Sequence, residues 1–552
     1  MTRNTEPEIV IVNAEVSSAV PGATSVAVTG GRVHAVDRES LDGLAGPRTE
    51  VIDARGATLL PGFTDAHVHP LAAGVQILTC DLSGLPHSPD RYRDAICSYA
   101  AEHPDLGWIS GNGWYGDTFP GGLPHRDFLD EILPDRPAVF VSHDAHGVWA
   151  NSRALALAGI DDATPDPHNG RIDRDHDGRA TGILVERAGD LVTSLLPPVT
   201  DEFVESALLA AQAHLHSMGI TGWQDACVGS LWGLPDPLQA YQKLAEEGRL
   251  TARVIGALWW SAEKGLEQIP SLVEKRSVSA VGRFRATSVK IMQDGVCENC
   301  TGAMLKPYAG NFHRGAVCGL SFIDPEQLQL ICQELDRRRF QIHLHAVGDR
   351  AVRECLDALE AASKVHSGHD NRHQIAHLDV VSPDDVPRFA ELGVIANIQA
   401  LWARRDSEIV ERKLPLLGPE REPHHFPFGD LHRKGARLAM GSDWPVTDPN
   451  PLWAIYTAAN RLGPPEDPHA TGAEALTVPL EETQAIDQRV ALEAYTAGSA
   501  YANHAESEIG RIAPGMFADL VLLDRPILSG ERVSAARPLL TLVEGQAVYR
   551  EA

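Results

Sequence analysis

Pro61-Gly62-Phe63-Thr64-Asp65-Ala66-His67-Val68-His69 ends an apolar run in two histidines one residue apart, and the reading of this stretch decides the fold. In an extended strand, side chains at i and i+2 point to the same face, so His67 and His69 stand side by side. Two neutral imidazoles so placed make half of a metal site. In a chain with 24 histidines such a pair also arises by chance, so the reading depends on partners elsewhere.

Downstream of this stretch, strand-like segments alternate with helical ones, the signature of a parallel α/β architecture. Candidate strands occupy 60–67, 220–227, 252–259, 286–292, 340–346, 373–378, 394–399 and 437–442. Helical patterns fill 201–217, with Asp201 near the start, and 324–339, 349–363, 383–392 and 488–502. Eight strands with crossover helices predict a (β/α)8 TIM barrel over 62–504, whose functional groups gather at the C-terminal ends of the strands.

The flanks read differently. Residues 1–61 contain short alternating strands with a tight turn at Gly30-Gly31, and 505–552 contain two more, at 518–524 and 541–550. Both patterns favour small antiparallel sheets. Neither flank is long enough to make a comfortable domain alone, so the two are expected to pair into one composite β-sandwich. The stretch from about 83 to 200 is too long for a loop and carries its own strands, which predicts an insertion subdomain over the barrel mouth. Within it, Asp173-Arg174-Asp175-His176-Asp177-Gly178 resembles the start of a calcium loop, but no flanking helix pair completes it, and a solvated turn is the reading adopted.

The partners that the histidine pair needs lie at the tips of later strands. His345 ends one candidate strand, His377 ends another, and Asp443 follows a third. Lys290 lies inside the apolar run Ser288-Val289-Lys290-Ile291-Met292, where an amine is expensive unless paired or chemically altered. Carboxylation by carbon dioxide to a metal-bridging carbamate is one resolution; a buried ion pair or a surface-reaching amine is another. Each residue alone also fits a structural role, as a hydrogen-bonded core histidine or a turn aspartate. Trp114, His146, Trp149, Trp402 and Trp444 are candidates for an apolar substrate pocket, or else pack the insertion onto the barrel.

Composition bounds the remainder. The 552 residues exceed the roughly 150 expected per domain, a prior that barrels with insertions break. Hydrophobic residues at 43% and charged residues at 22% are ordinary for a globular chain. A net charge of -27 argues against nucleic acid and anionic membrane as principal partners. The N-terminus lacks a signal-peptide pattern and no apolar run reaches membrane-spanning length. Eight scattered cysteines suit a reducing cytoplasm, and the lone pair Cys297 and Cys300 lacks the second pair of a zinc ribbon.

The ordered set GGRVHAV, VIDARGATLLPGFTDAHVH, SHDAHGVWANSRAL, GILVERA, VKIMQDGV, HLHAVGDRAV, IAHLDVV, GSDWPV and GRIAPGMFADLVLLD resembles the amidohydrolase superfamily over nearly the whole chain. The branch it resembles contains YtcJ-like proteins and N-substituted formamide deformylases. That resemblance implies His67 and His69 as first-strand metal ligands, with His345 and His377 as ligands from the fifth and sixth strands. Asp443 of the eighth strand becomes ligand and proton carrier, and Lys290 the bridging position. It also brings the loop holding Cys297 and Cys300 near the site. The implied cofactor is one or two divalent ions, zinc foremost. The implied reaction is attack of metal-activated hydroxide on a non-peptide amide of a small molecule, such as an N-substituted formamide or N-acyl amine. A lactone or ester hydrolase, or a catalytically silent binding barrel, is the alternative; homo-oligomerisation is left open.

Overall fold

The computed structural model describes residues 6–119, 123–143, 147–167, 170–230, 233–298, 300–309, 317–366 and 368–551. Its centre is an eight-stranded parallel sheet of β1 (Phe63–Val68), β2 (Ile220–Val228), β3 (Arg253–Trp259), β4 (Phe284–Met292), β5 (Gln341–Ala346), β6 (Gln374–His377), β7 (Ile395–Ile398) and β8 (Arg437–Met440), paired in that order. All eight strands expected from the sequence are present, and the barrel architecture holds. The strands alternate between two environments. In β5, Ile342 and Leu344 join the apolar core shared with the surrounding helices, while Gln341 and His343 bond to other side chains inside the barrel.

Strands β1 and β8 share no ladder, and the barrel closes there by other means. Asp443 N–H donates to His67 O at 2.7 Å and His69 N–H donates to Trp444 O at 2.9 Å. Asp65 reinforces the seam from inside. Its carboxylate accepts from His67 N–H at 3.0 Å, Ser442 N–H at 3.1 Å and the Ser442 hydroxyl at 2.6 Å. Burial pushes this carboxyl up to about 7, against the opposing pull of those hydrogen bonds.

Helices cover the outside because their apolar residues recur at helical spacing. Val352, Cys355, Leu359 and Ala362 form such a stripe on Asp349–Val365. Helix α1 (Pro70–Leu78) starts directly after His69, with Pro70 where a helix tolerates a missing N–H. It packs against α2 (Asp201–Ser217). The cap of α2 is Thr200, whose hydroxyl oxygen accepts from Phe203 N–H at 3.2 Å.

Between α1 and α2 lies a six-stranded mixed sheet, ordered 170–174, 180–186, 147–150, 138–142, 109–114 and 80–81. It has a core of its own built on Tyr92, Phe119, Phe140 and Trp149. Asp175 to Gly178 make the turn between strands 170–174 and 180–186, with Asp175 N–H donating to Arg179 O at 2.9 Å. At the flanks, Thr58–Pro61 pairs antiparallel with Leu520–Leu523, so segments from opposite ends of the chain share a sheet. The flanking β structure is not wholly antiparallel as the sequence led us to expect: Ile9–Val12 pairs parallel with Glu50–Asp53. The chain crosses between them through the 25–29 and 32–37 hairpin, which places the two strands alongside in the same direction. Among the described residues no helix is long and apolar enough to cross a membrane.

The seam makes a direct prediction. Replacing Asp65 by Ala leaves the His67 and Ser442 amides buried without an acceptor, at about 1–3 kcal/mol for each orphaned donor. Denaturant unfolding of the parent and Asp65→Ala should therefore show a clear loss of stability, and coincident curves would refute the role of the carboxylate in closing the barrel.

Candidate metal centre

At the C-terminal ends of the strands, one donor atom from each of His67, His69 and Asp443 falls within 4.8 Å of the other two. Asp443 Oδ1 is 3.2 Å from His67 Nε2 and 3.1 Å from His69 Nε2. The other carboxylate oxygen, Oδ2, faces His377 Nδ1 at 4.0 Å. His377 in turn packs against both neighbours, with ring centres 4.8 Å from His67 and 4.3 Å from His345. The five residues from β1, β5, β6 and the end of β8 thus form one contiguous cluster. His345 sits at its far side, with Nε2 3.2 Å from Gly295 O and 3.6 Å from Asp294 Oδ1.

Two of these residues adopt left-handed backbone conformations that side chains other than glycine rarely take: His377 at φ 79° and Asp443 at φ 58°. Each is held there by its own amide. His377 N–H donates to Gln399 Oε1 at 2.9 Å, and Asp443 N–H makes the seam bond to His67 O. Strain of this kind concentrates where side chains must be aimed.

The electrostatics favour neutral imidazoles around an ionised carboxylate. Burial holds His67 and His377 well below the ordinary histidine range, helped by repulsion from Lys290 and neighbouring rings. Burial alone would raise Asp443. The His69 hydrogen bond, the imidazoles and Lys290 outweigh it and hold the carboxyl below its usual range. Lys290 is buried on β4, opposite His343 in the β4–β5 register, and burial brings its amine down to about 8. Among the described residues no carboxylate lies within 4.0 Å of its Nζ, which removes the ion-pair reading of this lysine.

A divalent cation fits this donor set. His67 Nε2 and His377 Nδ1 are buried without a hydrogen-bond partner among the described residues, and each faces an oxygen of Asp443. Neutral nitrogen donors beside an anionic oxygen are the ligands that zinc and similar ions take.

The candidate pocket residues divide. Trp402 lies at the site, stacked on His377 with ring centres 5.3 Å apart and planes 8° off parallel, and its indole N–H donates to Thr447 Oγ1. Trp444 stacks on His214 of α2. Trp114 and Trp149 belong to the core of the insertion, where Trp114 N–H donates to Phe140 O at 3.0 Å. Their bulk fills that sheet's interior. His146 lies outside the described residues. Cys297 is buried against Met304, Tyr308 and Val347, and burial pushes its thiol well up, so it is an inert packing group; Cys300 is partly exposed beside it.

Several residues of the site escape a reading of motifs. Asp65 and His343 each lie two residues before a candidate ligand on the same strand face, and that alternation was the signal available for them. Asp294 accepts from Ala303, Val347 and Gly348 N–H groups at 2.8–3.0 Å and anchors the loop after β4 behind His345. Asp225 accepts from the Tyr241 hydroxyl at 2.8 Å and from Cys227 N–H.

Comparison with known proteins places this geometry in context. The profile of an amidohydrolase family matches residues 50–549. YtcJ of Bacillus subtilis (strain 168), named as an amidohydrolase by inference, is 30% identical over 509 residues, covering 92% of this chain and 91% of its own. The N-substituted formamide deformylase of Arthrobacter pascens is 27% identical, with 98% of each chain covered. Among solved structures, an uncharacterised metal-dependent hydrolase of Pyrococcus furiosus superposes with a TM-score of 0.70 at 25% identity, covering 94% of this chain and 99% of that one.

Proposed function

The chain belongs to the amidohydrolase family, and from that premise we propose that it cleaves a non-peptide carbon–nitrogen bond of a small molecule, with N-substituted formamides and N-acyl amines as the class to test first. The observation that carries the reading is the pair of buried imidazole nitrogens, His67 Nε2 and His377 Nδ1, each near an oxygen of Asp443 and without a hydrogen-bond partner among the described residues. The 98% coverage of the formamide deformylase supports the substrate class.

His67, His69 and Asp443 would hold one divalent ion, most simply zinc, and His345 and His377 a second, with Lys290 as the bridge once carboxylated. Such an ion supplies Lewis acidity, lowering the pKa of a water from about 15.7 toward 7 and polarising a carbonyl oxygen. The remaining chemistry belongs to the chain. Asp443 Oδ1 is turned to His67 and His69, which leaves Oδ2 to take a proton from the attacking water and pass it to the departing nitrogen. An amine leaves only when protonated, so this transfer completes the cleavage. Should the chain hold one ion alone, His377, held flat against Trp402, would instead polarise the substrate carbonyl. Trp402 offers the apolar face beside it for the substituent on nitrogen.

A screen of N-formyl and N-acyl amines beside matched esters, run with metal analysis, tests the reading. Amine release should appear in the parent, and Asp443→Asn should lose about 10²–10⁴-fold in kcat with an unchanged melting midpoint. Full activity in that variant, or ester cleavage with none of the amides turned over, would contradict it.

The lysine provides a pH test. Carboxylation needs the neutral amine, in which Nζ bonds to carbon dioxide and releases a proton. With the amine at about 8, the neutral fraction rises from about one-tenth at pH 7 to about nine-tenths at pH 9. With ¹³C-bicarbonate, a carbamate carbonyl signal dependent on Lys290 should grow across that interval; its absence at both ends would remove the bridge.

A further inference from the structure

We infer that a hydrogen-bond relay inside the barrel, running from Gln341 through Gln224 to His343, fixes the tautomer of His67 and leaves Nε2 as its metal-binding nitrogen. This rests on the metal-centre reading above and deepens it.

Backbone groups set the direction of the relay. Gln341 Nε2 lies 2.6 Å from Ala502 O and 2.9 Å from Arg372 O, and carbonyls only accept, so this end of the Gln341 amide is the NH₂. Gln341 Oε1 then accepts from Gln224 Nε2 at 2.8 Å. That turns Gln224 Oε1 toward His343 Nδ1, 2.5 Å away. His343 therefore carries a proton on Nδ1.

A second chain demands the same orientation. His377 N–H donates to Gln399 Oε1, and Gln399 Nε2 donates to Asn397 Oδ1 at 3.0 Å. Asn397 Nδ2 donates to Ala66 O and to Gln374 Oε1, both at 2.9 Å. Gln374 is thereby left pointing its NH₂ at Gln224 Oε1. Two chains, each anchored on main-chain atoms, converge on that one oxygen.

The step to His67 follows from valence. His343 is fully buried and its two nitrogens contact only neutral groups, so a second proton would put an unpaired charge in the interior. Its Nε2 is therefore an acceptor, and His67 Nδ1, 2.9 Å away, is the donor. A neutral imidazole carries one N–H, so with Nδ1 donating, Nε2 is the nitrogen left bare. Nε2 stands 3.2 Å from Asp443 Oδ1, where both atoms can serve one cation. The outer partner of a metal-ligating imidazole is most often a carboxylate, carbonyl or water. Here it is a neutral imidazole held by two amides, which makes Gln224, Gln341 and His343 positioning residues.

Two measurements test the relay. In the unmodified protein freed of metal and labelled with ¹⁵N-histidine, the His67 signal, identified by its loss in His67→Gln, should show a protonated Nδ1 and a bare Nε2; the opposite pattern would overturn the inference. Zinc affinity by chelator competition should fall roughly 10–100-fold in Gln224→Met, which removes the acceptor, and in that variant the His67 signal should no longer show a single tautomer. Affinity equal to the parent in Gln224→Met overturns the relay alone, whereas a parent protein that takes up no zinc refutes the metal centre itself.

Discussion

Polar side chains on the inner face of a barrel are costly to bury unless hydrogen-bonded, so partners inside the barrel decide which of them it can hold. Gln224, Gln374, Asn397, Gln399 and His343 are buried in this lumen, and each is satisfied by another of the set or by a main-chain atom. A barrel core is more often layered with branched apolar residues. An amide layer demands more, because every amide has a right and a wrong orientation, and one reversed group leaves its neighbours unpaired. The same demand makes the floor beneath the histidines rigid and directional.

From that floor upward the site assembles with few free choices. The seam between β1 and β8 is made by the residues that carry the donors: His67 O, His69 N–H and Asp443 N–H bond across it, so closing the barrel and bringing imidazoles to the carboxylate are one event. Asp65 sits behind the seam and ties β1 to the turn after β8. The left-handed backbone at His377 and Asp443 is tolerated because each amide is held by this framework. Stability and chemistry share the same atoms, as expected where strain is kept at a functional site.

Much of this was legible in the sequence, for stated reasons. The eight strands announce themselves as apolar runs between helical stretches, and His67, His69, His345, His377 and Asp443 stand at their tips, where a barrel delivers groups to a common mouth. The amide layer was not legible, because a glutamine in a strand reads as an interruption of the apolar pattern until the lumen is known to be polar. His343 was passed over since only the terminal histidine of its strand looked functional. Trp114 and Trp149 were open to a pocket or a packing reading, and the six-stranded sheet takes them into the core it needs. The parallel pairing of Ile9–Val12 with Glu50–Asp53 was hidden because strand direction leaves no trace in short alternating segments.

The central claim is that His67, His69 and the Asp443 carboxylate converge on one cation. Anomalous diffraction at the zinc edge, from crystals of the protein grown with zinc, tests it most directly. The account predicts a peak within bonding distance of His67 Nε2, His69 Nε2 and Asp443 Oδ1; a zinc-saturated crystal with that position empty, or with a proton resolved on His67 Nε2 in its place, would contradict it.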